Sequence, residues 1–188
     1  MFYKKFGKRI IDILISFSLL LMFCPLFIII GILIKLDSKG EVIFKHKRLG
    51  KNCKPIYVWK FRTMVNNAME IGPQYTDMND GRITKIGSLL RRTSIDELPQ
   101  IVNILIGDMS LIGPRPDAYT NNPDDYQKKR TKVLPGITGL AQVNGRSSLT
   151  INEREIYDLK YIEEYSFIKD LQIILKTIKI VFKQEGIN

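Results

Sequence analysis

A single histidine, His46, and only two cysteines, Cys24 and Cys53, occur in the 188 residues of this chain. The first scarcity excludes a multi-histidine metal site and argues against a histidine base, and His46 itself reads as a surface residue of a hairpin. Cys24 lies in an apolar run and Cys53 in a basic turn, so neither a disulfide framework nor metal-ligand spacing is present, which fits a reducing, cytoplasmic setting. There is no phosphate-binding loop: Gly81 to Ser88 resembles one superficially, but its spacing is wrong and no lysine precedes the serine. Internal repeats and low-complexity segments are absent too. Negative charge is in deficit, with 19 Asp and Glu against 29 Lys and Arg and a formal net charge of +10. A partner of opposite sign is therefore expected, drawn from anionic phospholipid, nucleic acid or a phosphorylated small substrate.

What is present begins with residues 13 to 34, ILISFSLLLMFCPLFIIIGILI, an unbroken uncharged run. As one helix it would be about 33 Å long at 1.5 Å per residue, enough to cross a bilayer. Such a segment favours lipid and phosphate partners over nucleic acid. It exceeds a signal-peptide core and lacks a small-residue cleavage site, so it is expected to stay in the mature protein. Lys4, Lys5, Lys8 and Arg9 precede it, and Lys35, Lys39, Lys45, Lys47, Arg48 and Lys51 follow it. The positive-inside rule puts both flanks in the cytoplasm, which requires the chain to turn back, and Pro25 near the middle removes a backbone donor where it could do so. Ser16 and Ser18 are available to satisfy what the break exposes. The expectation is a re-entrant helix-break-helix hairpin over 1–36, with a kinked single span as the alternative, followed by one interfacial catalytic domain over 37–188.

The predicted fold class is α+β, mostly helical with a short β-hairpin and amphipathic surface helices. EVIFK (41 to 45) and PIYVWKF (55 to 61) read as strands around a Gly50-Lys51-Asn52 turn. Residues 66 to 81 have the composition of a surface loop. Helical periodicity starts at Ile83, with Ile86, Leu89 and Leu90 on one face, and a second helix carries Leu98, Ile101, Val102 and Leu105 before stopping near Gly107. A loop-rich stretch from Gly113 to Arg146 contains a helix start at 122 to 125, and 152 to 165 is helical. Residues 167 to 184 alternate Ile168, Leu171, Ile174, Leu175, Ile178 and Val181 with Lys169, Lys176, Lys179 and Lys183. That pattern suits either a basic helix lying on an anionic membrane or an ordinary helix packed on the core.

The chemistry concentrates in RRTSIDELPQ, 91 to 100. Ser94 and Glu97 have capping-box spacing, so by spacing alone Asp96 and Glu97 decorate a helix N-terminus. A helix N-terminus, however, offers free N–H groups and partial positive charge to anions. There an ionised carboxylate can attack phosphorus while its neighbour holds Mg2+. Arg91 and Arg92 lie just upstream, Arg115 is fixed between Pro114 and Pro116, and Arg146 follows an Asn-Gly turn; planar guanidinium groups suit bidentate phosphate binding. A glycosidase also uses paired carboxylates, but across a sugar and without arginines. A membrane-tethered basic scaffold or nucleic-acid binder with stacking aromatics is the non-catalytic alternative.

KRIID (8 to 12), the proline-broken segment, KFRTM (60 to 64), DELPQ (96 to 100), GDMSLIGPRP (107 to 116), PGITGLAQVNGR (135 to 146) and YDLKY (157 to 161) together resemble the bacterial monotopic phosphoglycosyl transferases in their minimal catalytic form. The match runs in order along nearly the whole chain. It implies transfer of a sugar 1-phosphate from a nucleoside-diphosphate sugar, expected to be a UDP-sugar, to polyprenyl (undecaprenyl) phosphate at the cytoplasmic face of the bacterial inner membrane, starting assembly of a surface glycan. It further implies Asp96 as nucleophile, Glu97 with Asp96 as the Mg2+ carboxylates, and substrate-binding roles for Arg91, Arg115, Arg146, Lys60 and Arg62. Cys24 stands before Pro25 where many relatives have serine. Sugar specificity is expected in the 66 to 81 and 117 to 126 loops.

Overall fold

The computed structural model describes residues 2–72, 80–145 and 148–183. After one turn of π-helix over Tyr3–Gly7, α1 runs Lys8–Asp37 and is helical straight through Pro25. The expected break is therefore not a gap in the helix. A proline withholds only one donor, here the one that would reach the Leu21 carbonyl four residues back, and the helix-compatible apolar residues on either side keep the other bonds. The two serines do not serve that carbonyl either, since Ser18 donates to Leu14 O at 2.9 Å and Ser16 Oγ is buried without a partner among the described residues.

Both ends of α1 nevertheless dock on the same folded body. Near its start, the Arg9 guanidinium donates to the carbonyls of Ile104 and Leu105, and Asp12 accepts the Leu111 N–H at 3.1 Å. At its far end, Asp37 accepts the Ile86 N–H at 2.9 Å, and Ile30 and Ile34 pack with Phe61 and Leu90. Between these anchors Leu14, Phe17, Leu21, Met22, Ile28, Ile29 and Ile32 are exposed. Tyr3–Asp37 is long and apolar enough to cross a membrane.

That body is built on two small sheets. Strands β1 (Ile43–Leu49) and β2 (Pro55–Phe61) pair antiparallel, from Leu49 opposite Pro55 to Ile43 opposite Phe61. The first strand starts two residues later and ends four later than expected, because the reversal is a tight turn with Asn52 and Cys53 both at positive φ. Helices α2 (Ala68–Ile71) and α3 (Lys85–Arg92) follow, the latter capped by Thr84 accepting the Gly87 N–H. Leu90 is buried on α3, but Leu89, expected on the same apolar face, is exposed. A 3-10 turn over Ile95–Glu97 leads into α4 (Gln100–Ile106), which ends at Gly107 with φ 98°.

Two short parallel strands, β3 (Ser110–Ile112) and β4 (Gly136–Thr138), were not foreseen from the sequence. Three-residue strands carry too little period-2 pattern to be read. Their glycines matter: a Cβ on Gly136 would lie 2.1 Å from the Gly113 nitrogen, so only glycine allows this approach, which sets the path of the Pro114-Arg115-Pro116 segment. Helix α5 (Asp125–Arg130) begins at the expected place with an Asp124–Gln127 capping box, and α6 (Ile151–Glu164) begins with a Thr150–Glu153 box. Helix α7 (Phe167–Lys183) follows; position 184 of the expected helix lies outside the described residues.

On α7 the inward face is Asp170, Ile173 and Thr177, whereas Ile168, Leu171, Leu175, Ile178 and Val181 are exposed. An apolar stripe of this helix therefore faces outward, while Ile173 and Ile174 pack with Ile112 and Tyr161 in the core. Asp170 joins this helix to the start of the chain. Its buried carboxylate accepts from Tyr3 Oη, from Lys8 Nζ at 2.6 Å and from Tyr161 Oη at 2.8 Å, and Tyr161 is itself buried against Ile112 and Ile173. Replacing Asp170 by Ala removes the partner of the part-buried Lys8 ammonium and of the Tyr3 hydroxyl and leaves Tyr161 only its bond to the Ile112 carbonyl, and should cost about 2–4 kcal/mol in denaturant unfolding of micelle-solubilised protein. A loss below about 1 kcal/mol would show that this junction contributes little.

Candidate active site

The centre of the site is Glu97. Lys60, projecting from β2, reaches its Oε1 at 2.7 Å, and Arg115, from the segment after β3, reaches the same oxygen at 2.9 Å. Burial alone would push the Glu97 carboxyl up, but the Arg115 guanidinium and Lys60 ammonium outweigh it and hold it well below the usual carboxylate range. Glu97 is thus ionised, with two cations on one oxygen. The capping box suggested by spacing does not form: Ser94 has φ 56° with no side-chain cap, and Glu97 is turned to these cations instead. Both carboxylates sit on the 3-10 turn ahead of α4, not in the first turn of a longer helix.

Neighbouring Asp96 is in the opposite state. Burial, reinforced by the Glu97 charge and only partly offset by Lys60, Arg91 and Arg115, raises its carboxyl to about 6. No hydrogen bond to its carboxylate occurs among the described residues. Two adjacent acids with their acidities driven apart by environment are suited to different tasks, one as a fixed charge and one as a reactive group.

Three supports position these groups. Buried Asn103 on α4 accepts the Trp59 N–H at 2.8 Å and donates to Tyr57 O at 2.7 Å, so α4 is stapled to the backbone of β2 beside Lys60. Arg91 donates from Nε to Thr63 Oγ1 at 2.9 Å, which leaves its charge bearing on Asp96. Buried Arg130 donates to the Arg115 carbonyl at 2.8 Å and pairs with Asp117 and, at 2.6 Å, with Asp158, whose other donor is Tyr126 at 2.8 Å. Asn103, Arg130 and Asp158 were not singled out from the sequence. The only signals were a polar residue inside an apolar helix face and, for Asp158, its place in YDLKY.

Of the seven catalytic and substrate-binding residues expected, Asp96, Glu97, Lys60, Arg91 and Arg115 come together. Arg62 does not join them: its guanidinium donates to the carbonyls of Ser38 and Lys39, closing the end of α1. Arg146 lies outside the described residues, as do positions 73–79 of the 66 to 81 loop. His46 is not a free surface residue. It is half-buried, its Nδ1 lies 3.2 Å from Arg48 Nη2, and Lys60 is near enough to act on its charge.

Among the described residues no group of three or more His, Cys, Asp or Glu could hold a metal ion. Lys60 and Arg115 occupy Glu97 Oε1, so the donors of this pair left for a hard cation are Glu97 Oε2 and the Asp96 carboxylate; Mg2+ takes one or two carboxylates and completes its shell with water and phosphate.

The profile described as Bacterial sugar transferase matches residues 3–184. The chain belongs to that family. It is 43% identical over 182 residues to the UDP-glucose:undecaprenyl-phosphate glucose-1-phosphate transferase of Klebsiella pneumoniae, covering 91% of this chain and 39% of that protein. With the protein of the same description from Escherichia coli K12 it shares 44% over 183 residues, again 91% and 39%. It is 42% identical over 186 residues to the exopolysaccharide production protein PSS of Rhizobium leguminosarum bv. phaseoli, covering 91% of this chain and 92% of that one. The chain therefore spans about two fifths of the first two relatives and nearly all of the third.

The raised Asp96 acidity carries a stability consequence. An acid whose folded value exceeds its unfolded one holds its proton more tightly when folded, so its unfavourable contribution is absent below about 3.8 and grows as pH rises to about 6. Asp96→Asn should accordingly stabilise this family member by about 1–2 kcal/mol at pH 8 and leave it unchanged at pH 3.5. Equal effects at both pH values would mean that Asp96 is not destabilised by burial.

Proposed function

We propose that the chain transfers a sugar 1-phosphate from a UDP-sugar to polyprenyl phosphate, through a covalent intermediate on Asp96. The observation that carries this reading is the pairing of an ionised Glu97, clamped by Lys60 and Arg115, with a differently tuned Asp96 under the charge of Arg91. At neutral pH Asp96 is mostly ionised yet more basic than an ordinary aspartate, which favours attack on phosphorus. An Asp96 oxygen bonds to the sugar-bearing phosphorus, and the bond to the nucleoside monophosphate breaks with its electron pair leaving on that group. A phosphate oxygen of the polyprenyl acceptor then attacks the same phosphorus and releases the carboxylate.

Arg91, Arg115 and Lys60 hold the transferring phosphate and stabilise the charge that develops on its oxygens, with Arg115 kept in place by its prolines and by Arg130. Asp96 and Glu97 are the residues that would hold Mg2+, which when bound neutralises the diphosphate. The printed descriptions of the Klebsiella and E. coli relatives, naming UDP-glucose and undecaprenyl phosphate, agree with this substrate pair.

The proposal extends to topology. The acceptor's tail cannot leave the bilayer cheaply, so the site sits at the cytoplasmic interface of the inner membrane. Residues 1–36 form a re-entrant anchor, and 37–188 form the catalytic domain with α7 against anionic phospholipid. Support comes from the docking of both ends of α1 on one body and from the outward apolar stripe of α7.

Enzyme, Mg2+ and UDP-sugar without acceptor should yield a stoichiometric phospho-sugar adduct on Asp96, and labelled UMP should exchange into the UDP-sugar. Asp96→Asn should lose the adduct and slow exchange at least about a thousandfold; undiminished exchange in that variant would exclude Asp96 as nucleophile. For the topology, single cysteines at Lys5 and Lys39, in a background lacking Cys24 and Cys53, should both be labelled from the cytoplasmic side. Labelling from opposite sides would establish a span.

A further inference from the structure

We propose that Arg130, held by Asp158, is the positioning residue for Arg115: it sets where the Arg115 guanidinium points, and through that the transfer step, while clamping the 117 to 126 loop at both of its ends. The proposal rests on the transfer reaction above and adds to it the side chains that aim its cation.

Arg115 is poorly placed to hold itself. Its side chain is 54% exposed and meets the protein at Glu97 Oε1. Pro114 and Pro116 on either side have no N–H to donate, so the segment is fixed mainly through its carbonyls. The Pro114 carbonyl accepts the Gly136 N–H at 3.0 Å, and the Asp117 carbonyl accepts the Leu49 N–H at 2.9 Å. Between these two backbone contacts, the carbonyl of Arg115 itself accepts from Arg130 Nη2 at 2.8 Å. Of the three holds this one comes from a side chain, and it acts on the residue whose aim matters.

Arg130 is buried at the end of α5, and its two terminal nitrogens reach three stretches of chain. Nη1 pairs with Asp117, while Nη2 pairs with Asp158 on α6 at 2.6 Å and serves the Arg115 carbonyl. Asp158, buried as well, is oriented in turn by the Tyr126 hydroxyl, which donates to its Oδ2 at 2.8 Å, and the Tyr126 ring lies 5.0 Å from the Arg130 guanidinium. Residues 117 to 126 therefore begin and end on one cation, Asp117 directly and Tyr126 through Asp158. The anchor does not travel with that loop: the next residue, Thr131, accepts the Asn52 N–H at 2.7 Å and so ties the end of α5 to the hairpin turn.

A planar guanidinium holds its acceptors at fixed mutual angles, which an ammonium on a flexible stem does not. Among the described residues, no hydrogen bond or ion pair of Arg130 reaches Asp96 or Glu97. Its effect on the reaction must therefore pass through Arg115, and that makes the two residues separable from a general contribution to folding.

The test is a double-mutant cycle on turnover. UMP release is followed in nanodiscs of anionic phospholipid holding undecaprenyl phosphate, with whichever of a panel of UDP-sugars, UDP-glucose among them, the parent turns over fastest. Arg130→Lys and Asp158→Asn are each made in the parent and in Arg115→Lys, with denaturant unfolding measured for every variant. In the parent, Arg130→Lys should lower kcat about thirtyfold, as expected for a displacement of about 1 Å at a charge that the transition state needs. In Arg115→Lys the same change should cost less than about threefold, because the fork it aims is already gone. Asp158→Asn should follow the same pattern. Should these variants fail to fold, Tyr126→Phe, which removes only the hydroxyl donor of Asp158, carries the test, with a loss of about fivefold in the parent and none in Arg115→Lys.

Equal fold-losses in the two backgrounds would overturn the proposal and leave Arg130 a support of the fold in general. Parental kcat in a folded Arg130→Lys, or in Tyr126→Phe where that variant carries the test, would overturn it too. With an active parent, either result removes the positioning role and leaves the transfer reaction standing. A parent that turns over none of the UDP-sugars would remove both together.

Discussion

A carboxylate largely withdrawn from water cannot stay charged without compensation, and in this protein the compensation for the half-buried Glu97 comes from two distant stretches of chain. Lys60 arrives on the hairpin and Arg115 on a proline-braced segment after β3, so one oxygen ties together residues 60, 97 and 115. Much of the remaining architecture serves to hold these three in register. Asn103 locks α4 to the β2 backbone, the Gly113 and Gly136 contact sets the path of the Arg115 segment, and Arg130 fixes its carbonyl. Loss of any of these supports would leave the pair of cations aimed at the wrong place.

The second organising feature is a junction between the two elements with outward apolar surfaces. Asp170 on α7 gathers Tyr3 and Lys8 from the chain start and Tyr161 from α6. The exposed flank of α1 and the exposed stripe of α7 are thus carried on one rigid unit rather than on independent arms. On the proposed reaction, which draws one substrate from lipid and the other from water, a membrane receiving both surfaces would fix the orientation of the site.

Patterns that repeat over many residues were readable in advance. The apolar N-terminal helix, the hairpin, α6 and the amphipathic α7 announced themselves through length and period, and DELPQ and GPRP marked the centre of the site. Short or context-dependent features were not readable. Parallel strands of three residues have no usable period, Leu89 faces outward although its spacing places it inward, and the Ser94–Glu97 spacing suggested a cap that stronger ion pairing displaces. Arg62 and Lys60 are two residues apart in one motif, yet one closes the end of a helix while the other enters the site.

By itself the sequence determined the family, the long apolar N-terminal helix, the excess of positive charge and the identity of the paired carboxylates, because those reside in residue type and local order. Tertiary structure alone decided which cations meet those carboxylates, which of the two acids is held ionised and which is pushed toward neutrality, and that His46 belongs with Arg48 near Lys60 instead of in solvent. The physical reason is that acidity and ion pairing depend on burial and on separations of a few ångströms between residues tens of positions apart, and these distances do not exist until the chain has folded.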